Sequence, residues 1–168
     1  PEYYRITEDE MGNSLIGVHN PSLLDEGIPN NAYATNKKEH KAIASTLKKQ
    51  NRSFLKSKQL TLSFTGVNSK YYESLKEDTI KLANINQKDL QGVRAAEELY
   101  AKMKNNPKWS NEWTLCNLWC APFFSDYSEK NMLRVPTTEQ LKLFQKTPSS
   151  LNGKMKEYVD ALSSQYNF

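Results

Sequence analysis

The stretch between Pro107 and Pro122 limits most what this chain can fold into. Trp109, Trp113, Cys116 and Cys120 recur there at helical spacing, and Leu115, Leu118 and Trp119 spread the apolar surface nearly all the way round. A helix without a polar face has to be surrounded by other elements. The spacing therefore predicts a central, buried helix over residues 108–120. Proline disfavours helical backbone in the residue before it, so this helix is expected to end or kink at Pro122.

The rest of the chain reads mostly as helices able to cover that one. Thr35 or Asn36 is placed to cap a helix that runs to about Leu55, with Ile43, Leu47 and Phe54 on one side and Lys41, Lys48, Arg52 and Lys56 on the opposite side. Val93, Ala96, Tyr100 and Met103 mark one face of a helix opening near Asn86 and Asp89, weakened slightly at Gly92 and closed by Pro107. Thr137 with Gln140 three residues later forms a capping-box pattern ahead of Leu141 and Phe144. Asn152 caps a last helix that carries Met155, Tyr158, Val159, Leu162 and Tyr166 on one stripe. A short helix is expected over residues 72–83, and a polar connection over residues 125–136. Leu60, Leu62 and Phe64 alternate with Thr61 and Ser63, the period of a short strand that Gly66 ends.

Residues 1–33 hold Gly12, Gly17, Pro21, Gly27 and Pro29 with asparagines between them, and read as loop. The fold class is thus mainly α: an irregular multi-helix domain over residues 34–168, a long N-terminal loop or connector over residues 1–33, and at most one short β element. The chain has 168 residues, enough for one ordinary core, yet only 38% are hydrophobic, below the share of about one half usual for a globular domain. Its first residue is Pro1, and it reads as a piece of something longer; either much of its surface is loop, or part of its apolar surface is covered by a missing neighbour.

The charge pattern says more than the net charge of +4. Residues 1–33 carry one basic and six acidic side chains, whereas residues 37–58 carry eight basic ones and the single acid Glu39. Such a block is either a solvated helix face or a surface that meets phosphates. Lys41, Lys48, Arg52 and Lys56 are the DNA-contacting candidates.

Little else points to chemistry. Cys116 and Cys120 read as two buried thiols on one helix face, and with His19 and His40 they make no zinc set. No metal site and no catalytic residue is assigned. The six glycines are scattered and form no phosphate cradle. Asn20-Pro21-Ser22-Leu23 lacks the second proline and the aromatic ring of an amino-methyltransferase tetrad, so a flipped base would find nothing to stack on. No apolar run approaches a membrane span, no signal peptide is visible, and the cysteine usage fits a cytoplasmic setting.

Several separated stretches resemble one family. Met11-Gly12-Asn13-Ser14-Leu15-Ile16-Gly17, Glu26-Gly27-Ile28-Pro29-Asn30-Asn31-Ala32-Tyr33, the basic run around Lys49, Asn51 and Arg52, and the apolar stretch with Leu118-Trp119-Cys120-Ala121 resemble segments of the large adenine-specific DNA methyltransferases. These are single-chain restriction-modification enzymes and phage-defence methyltransferases of BREX or DISARM type. Pro136-Thr137-Thr138-Glu139 and Tyr166-Asn167-Phe168 follow in the family's order. Asn30, Asn117 and Pro122 depart from its pattern, and the first ten residues match nothing in it.

The resemblance implies a segment lying between the cofactor loop and the catalytic tetrad of such an enzyme. S-adenosylmethionine is then the cofactor of the parent protein and none is expected for this fragment alone. Double-stranded DNA and the rest of the methyltransferase chain are its partners, with no membrane and no metal. Asn13 falls where related enzymes place an Asp or Asn against the cofactor adenine, and its alternative is a turn-forming Asn after Gly12. Two other functions stay open: a stand-alone helical nucleic-acid-binding module, and a helical protein-interaction or scaffold domain.

Overall fold

A computed structural model describes residue 18, residues 22–59, residue 77, residues 80–86 and residues 89–167. Among these the protein is mainly helical and no strand occurs. The α-helices are α1 (Ser22–Glu26), α2 (Lys41–Gln59), α3 (Leu90–Lys104), α4 (Pro107–Phe124), α5 (Thr138–Lys146) and α6 (Gly153–Tyr166). The strand expected at Leu60, Leu62 and Phe64 lies outside the described residues, as do Asn13 and most of the helix expected over residues 72–83; residues 77 and 80–83 of the latter are helical. The chain divides into two compact units, Pro1–Leu62 with Thr114–Phe168, and Ser63–Trp113.

In the first unit, α2 packs on α5 and on a 3-10 turn at Asn30–Ala32. Turn formers had marked residues 1–33 as loop, and within them α1 contributes a single helical turn that buries Leu24. A 3-10 turn at Lys38–His40 precedes α2, so the expected cap at Thr35 or Asn36 does not form. Thr35 Oγ1 instead accepts from the Lys37 N–H at 3.2 Å and turns the chain before the helix begins.

The predicted capping box of α5 does form, with the Thr137 N–H donating to Gln140 Oε1 at 3.0 Å. Leu141 and Phe144 face the core as expected. The Asn152 side chain accepts from the Lys154 N–H at 2.9 Å and starts α6. Met155, Val159 and Leu162 of α6 are buried, and its end is closed by Asn167 in the left-handed region at φ 50°.

The section of α4 in this unit, from Thr114 to Pro122, is buried apart from half-buried Cys116. Pro122 neither ends nor visibly breaks it. The proline stands in the last turn, so only one helical hydrogen bond is forfeited. The carbonyls at the end find other partners: Ser125 Oγ donates to Ala121 O at 2.8 Å, and the Tyr127 hydroxyl donates to Pro122 O.

In the second unit, α3 buries Ala96 and Met103, with Val93 and Tyr100 half-buried beside them. Its N-cap is Asp89, whose carboxylate accepts from the Gly92 N–H at 2.7 Å. Gly92 is more than a weak helix former there: a Cβ on it would lie 1.7 Å from the Asn86 carbonyl oxygen. The first turns of α4 belong to this unit, and they correct the sequence reading. Trp113, expected inward, is 50% exposed. Its ring stacks on Trp109 at 5.3 Å with planes 10° apart. Ser110, Asn111 and Glu112 interrupt the apolar surface between these rings, so the helix is apolar all round only beyond them.

Candidate nucleic-acid interface

Helix α2 carries six basic residues and no acidic one along its 19 residues. Lys41, Lys48, Arg52 and Lys56 are all exposed, as is Lys49. At about 100° per residue the four predicted contacts fall within an arc of roughly 80°. None of these five cations pairs with a carboxylate among the described residues. Lys37, at the start of the basic block, is different. It meets Asp126 at 3.2 Å, and His40 Nδ1 lies 3.0 Å from the same Asp126 oxygen. Partial burial raises the Asp126 pKa, but hydrogen bonds from Lys37 and Ser128 and the nearby His40 outweigh it and hold the carboxyl below its ordinary value.

The stripe is not diametrically opposite the core, as Ile43, Leu47 and Phe54 alone had implied. Ala44 and Asn51 are also buried and turn the centre of the buried face toward the stripe. At helical spacing the two faces lie roughly 110–120° apart. The basic surface is therefore a flank of α2.

Asn51 explains how this helix is held. Its side chain is fully buried in the middle of the basic run. Oδ1 accepts from the Thr138 N–H at 2.8 Å and from Thr138 Oγ1 at 2.7 Å. Nδ2 donates to Ile28 O at 2.8 Å and to Asn30 Oδ1 at 3.3 Å. The amide orientation is dictated by these partners, with donors on one side and acceptors on the other. The Thr138 hydroxyl in turn accepts from the Ile28 N–H at 3.0 Å. Tyr33 adds a bond from its hydroxyl to Pro136 O at 2.9 Å, and burial pushes its phenol far above the usual range.

Two more contacts complete the junction. Trp119 Nε1 donates to Gly27 O at 3.0 Å, and Trp119 is 7% exposed. Gly27 has φ +90°, and a Cβ on it would lie 2.5 Å from the Thr138 methyl. No other residue type fits that backbone and that approach. Thus the Gly-Ile-Pro-Asn run, Asn51, Trp119 and the Pro-Thr-Thr turn, distant in sequence, meet at one hydrogen-bonded node. Val18, directly after the Met11–Gly17 stretch, reaches the same helix through a backbone hydrogen bond to Cys120, whose thiol burial pushes up to about 12.

No protein-family model, curated protein sequence or solved structure matches this chain. The site has to be judged on its own groups. Among the described residues no cluster of three or more His, Cys, Asp or Glu could hold a metal ion, and no helix is long and apolar enough to cross a membrane. Cys116 and Cys120 are not joined in a disulfide. The node is closed and its polar groups are paired with each other, so it builds shape. Lys41, Lys48, Lys49, Arg52 and Lys56 of α2 form an exposed basic surface beside it.

Asn13, the cofactor-contact candidate, lies outside the described residues. Lys41, Lys48, Arg52 and Lys56 are brought together as a surface. Sequence reading had missed Thr138 and Tyr33 as parts of the node and had given Asn51 no place in the core. One signal was present: Asn51 stands four residues after Leu47, on the apolar phase of α2, where a polar residue must find buried partners.

Proposed function

We propose that this chain is a non-catalytic helical segment of an S-adenosylmethionine-dependent, adenine-N6-specific DNA methyltransferase of a restriction-modification or phage-defence system. In that protein α2 holds the DNA backbone, while other parts of the chain bind the cofactor, transfer the methyl group and read the sequence. Such a protein works in the cytoplasm, where the DNA is. One observation carries the reading. The helix that presents five exposed, carboxylate-free cations is fixed by Asn51 to the Gly-Ile-Pro and Pro-Thr-Thr runs, the same runs on which the family resemblance rests. A helix face of this kind contacts phosphates and positions a duplex without reading bases.

The test is the salt dependence of DNA binding. Each neutralised phosphate adds about 0.9 to the slope of log K against log salt. Converting Lys41, Lys48, Arg52 and Lys56 to Gln should weaken binding uniformly across sequences and flatten that slope. The helix should persist, because Gln is a good helix former and the buried face is untouched. Unchanged affinity and slope in the quadruple variant would make the flank a solubilising surface only. A stand-alone nucleic-acid-binding module would give the same salt result, and is separated by asking whether the longer protein methylates adenine.

A further inference from the structure

The connection between α4 and α5 was expected to be a plain polar loop. It is instead a built turn that displays one leucine. Leu133 is 86% exposed, more than any other large apolar side chain among the described residues. A single exposed leucine is ordinary on a protein surface. What separates Leu133 is the scaffold under it.

Asn131 is 5% exposed, and its side chain donates to Asp126 O at 3.2 Å. Its carbonyl accepts from the Arg134 N–H at 2.8 Å and from the Val135 N–H at 3.1 Å. Val135 is 2% exposed. The turn is thus pinned immediately before and after its tip, and Leu133 stands out in solvent.

The turn is also tied to the basic helix at both ends. Asp126 meets His40 just before α2 begins, and Thr138 meets Asn51 in its middle. Those two points are separated by roughly 16 Å of helix, and the turn bridges them. Lys130 and the half-buried Arg134 flank the tip; the acids of the turn are Glu129 and, at its far end against Lys37 and His40, Asp126. An apolar tip between cations, on the same body as a carboxylate-free basic helix, has the chemistry of a wedge that enters a groove and parts two stacked base pairs.

We infer that Leu133 is such a wedge, inserted between base pairs of the duplex whose backbone α2 holds. The inference rests on the proposed DNA contact of α2. Its ligand is a duplex step that unstacks easily, rather than an apolar pocket on another protein.

The probe is an A·T-rich duplex carrying the fluorescent adenine analogue 2-aminopurine, which brightens when it loses its stacking neighbour. The wild-type chain should brighten it on binding. Leu133→Ala should bind with an unchanged salt slope but lose the fluorescence rise, and Leu133→Phe should restore it. Because the side chain is exposed, neither change should move the unfolding midpoint. If Leu133→Ala brightens the probe as the wild type does, or if the wild type binds without brightening it, the wedge is refuted while the contact of α2 stands. If the wild-type chain shows no salt-dependent binding, both readings fall together.

Discussion

Replacing Asn51 with alanine removes partners from groups that are themselves buried. The Thr138 N–H loses its acceptor and Ile28 O loses its 2.8 Å donor. Each buried group left unpaired costs about 1–3 kcal/mol, so Asn51→Ala should lower the stability of the chain by several kcal/mol in urea titration. Asn51→Leu should do no better, since it keeps the branched shape but adds bulk and leaves the same two groups without Asn51 as partner. A midpoint unchanged in either variant would mean that the node does not hold α2. The tryptophans give a second contrast at this scale. Trp119 is buried and bonded to Gly27 O, so Trp119→Ala should cost on the order of 3–5 kcal/mol. Trp113 is half-exposed, and its loss should cost less than about 1 kcal/mol, near the range of surface substitutions. Equal losses in the two variants would contradict this placement. Sequence spacing treated both rings alike, because a period reports which residues share a face and not how far along the helix that face stays covered. The same limit hid Asn51. A pattern built from apolar residues passes over a buried amide, whose partners come from segments 18 or more residues away.

At the scale of elements, the signals that were legible are the local ones. Thr137 with Gln140, and Asn152 alone, foretold two helix starts because the cap and its partner lie within three residues. The phase of α6 was also readable, since each turn repeats it. The start of α2 was not: Thr35 spends its hydroxyl on a turn, and the helix begins only after the 3-10 residues Lys38–His40. Pro122 misled for a related reason, because its effect depends on where the helix ends and on Tyr127 and Ser125 taking the carbonyls beyond it. Helix α4 also carries a pH effect. Burial raises the Glu112 carboxyl to about 7. A carboxyl raised in the folded state keeps its proton while the unfolded chain loses its own. Stability should therefore fall as pH rises from the ordinary carboxylate range near 4.5 to about 7, and level off above that. Glu112→Gln should remove this component of the slope and leave the variant the more stable of the two at alkaline pH. Parallel stability–pH curves for wild type and variant would show that Glu112 has no part in it.

On the scale of the whole molecule, charge is sorted along the chain. The six acids of residues 1–33 and the eight cations of residues 37–58 nearly cancel in the net value of +4, yet Lys41, Lys48, Lys49, Arg52 and Lys56 of α2 stay exposed, with no carboxylate partner among the described residues. The proposed surface for a polyanion would use that sorting. The chain also lacks any glycine-rich loop, its six glycines being scattered, and it lacks the Asn-Pro-Pro-aromatic run that would stack a flipped adenine. Within the proposed enzyme, affinity for the DNA backbone and affinity for the cofactor then reside in different parts of the protein. The isolated chain should accordingly give no heat on titration with S-adenosylmethionine and transfer no methyl group to DNA, while still retarding a duplex at low salt. The longer protein should do all three. Micromolar binding of S-adenosylmethionine by the isolated chain would place a cofactor site within these 168 residues and overturn the division of labour. Failure of the longer protein to methylate adenine, with DNA binding kept, would instead leave α2 as the working surface of a nucleic-acid-binding module.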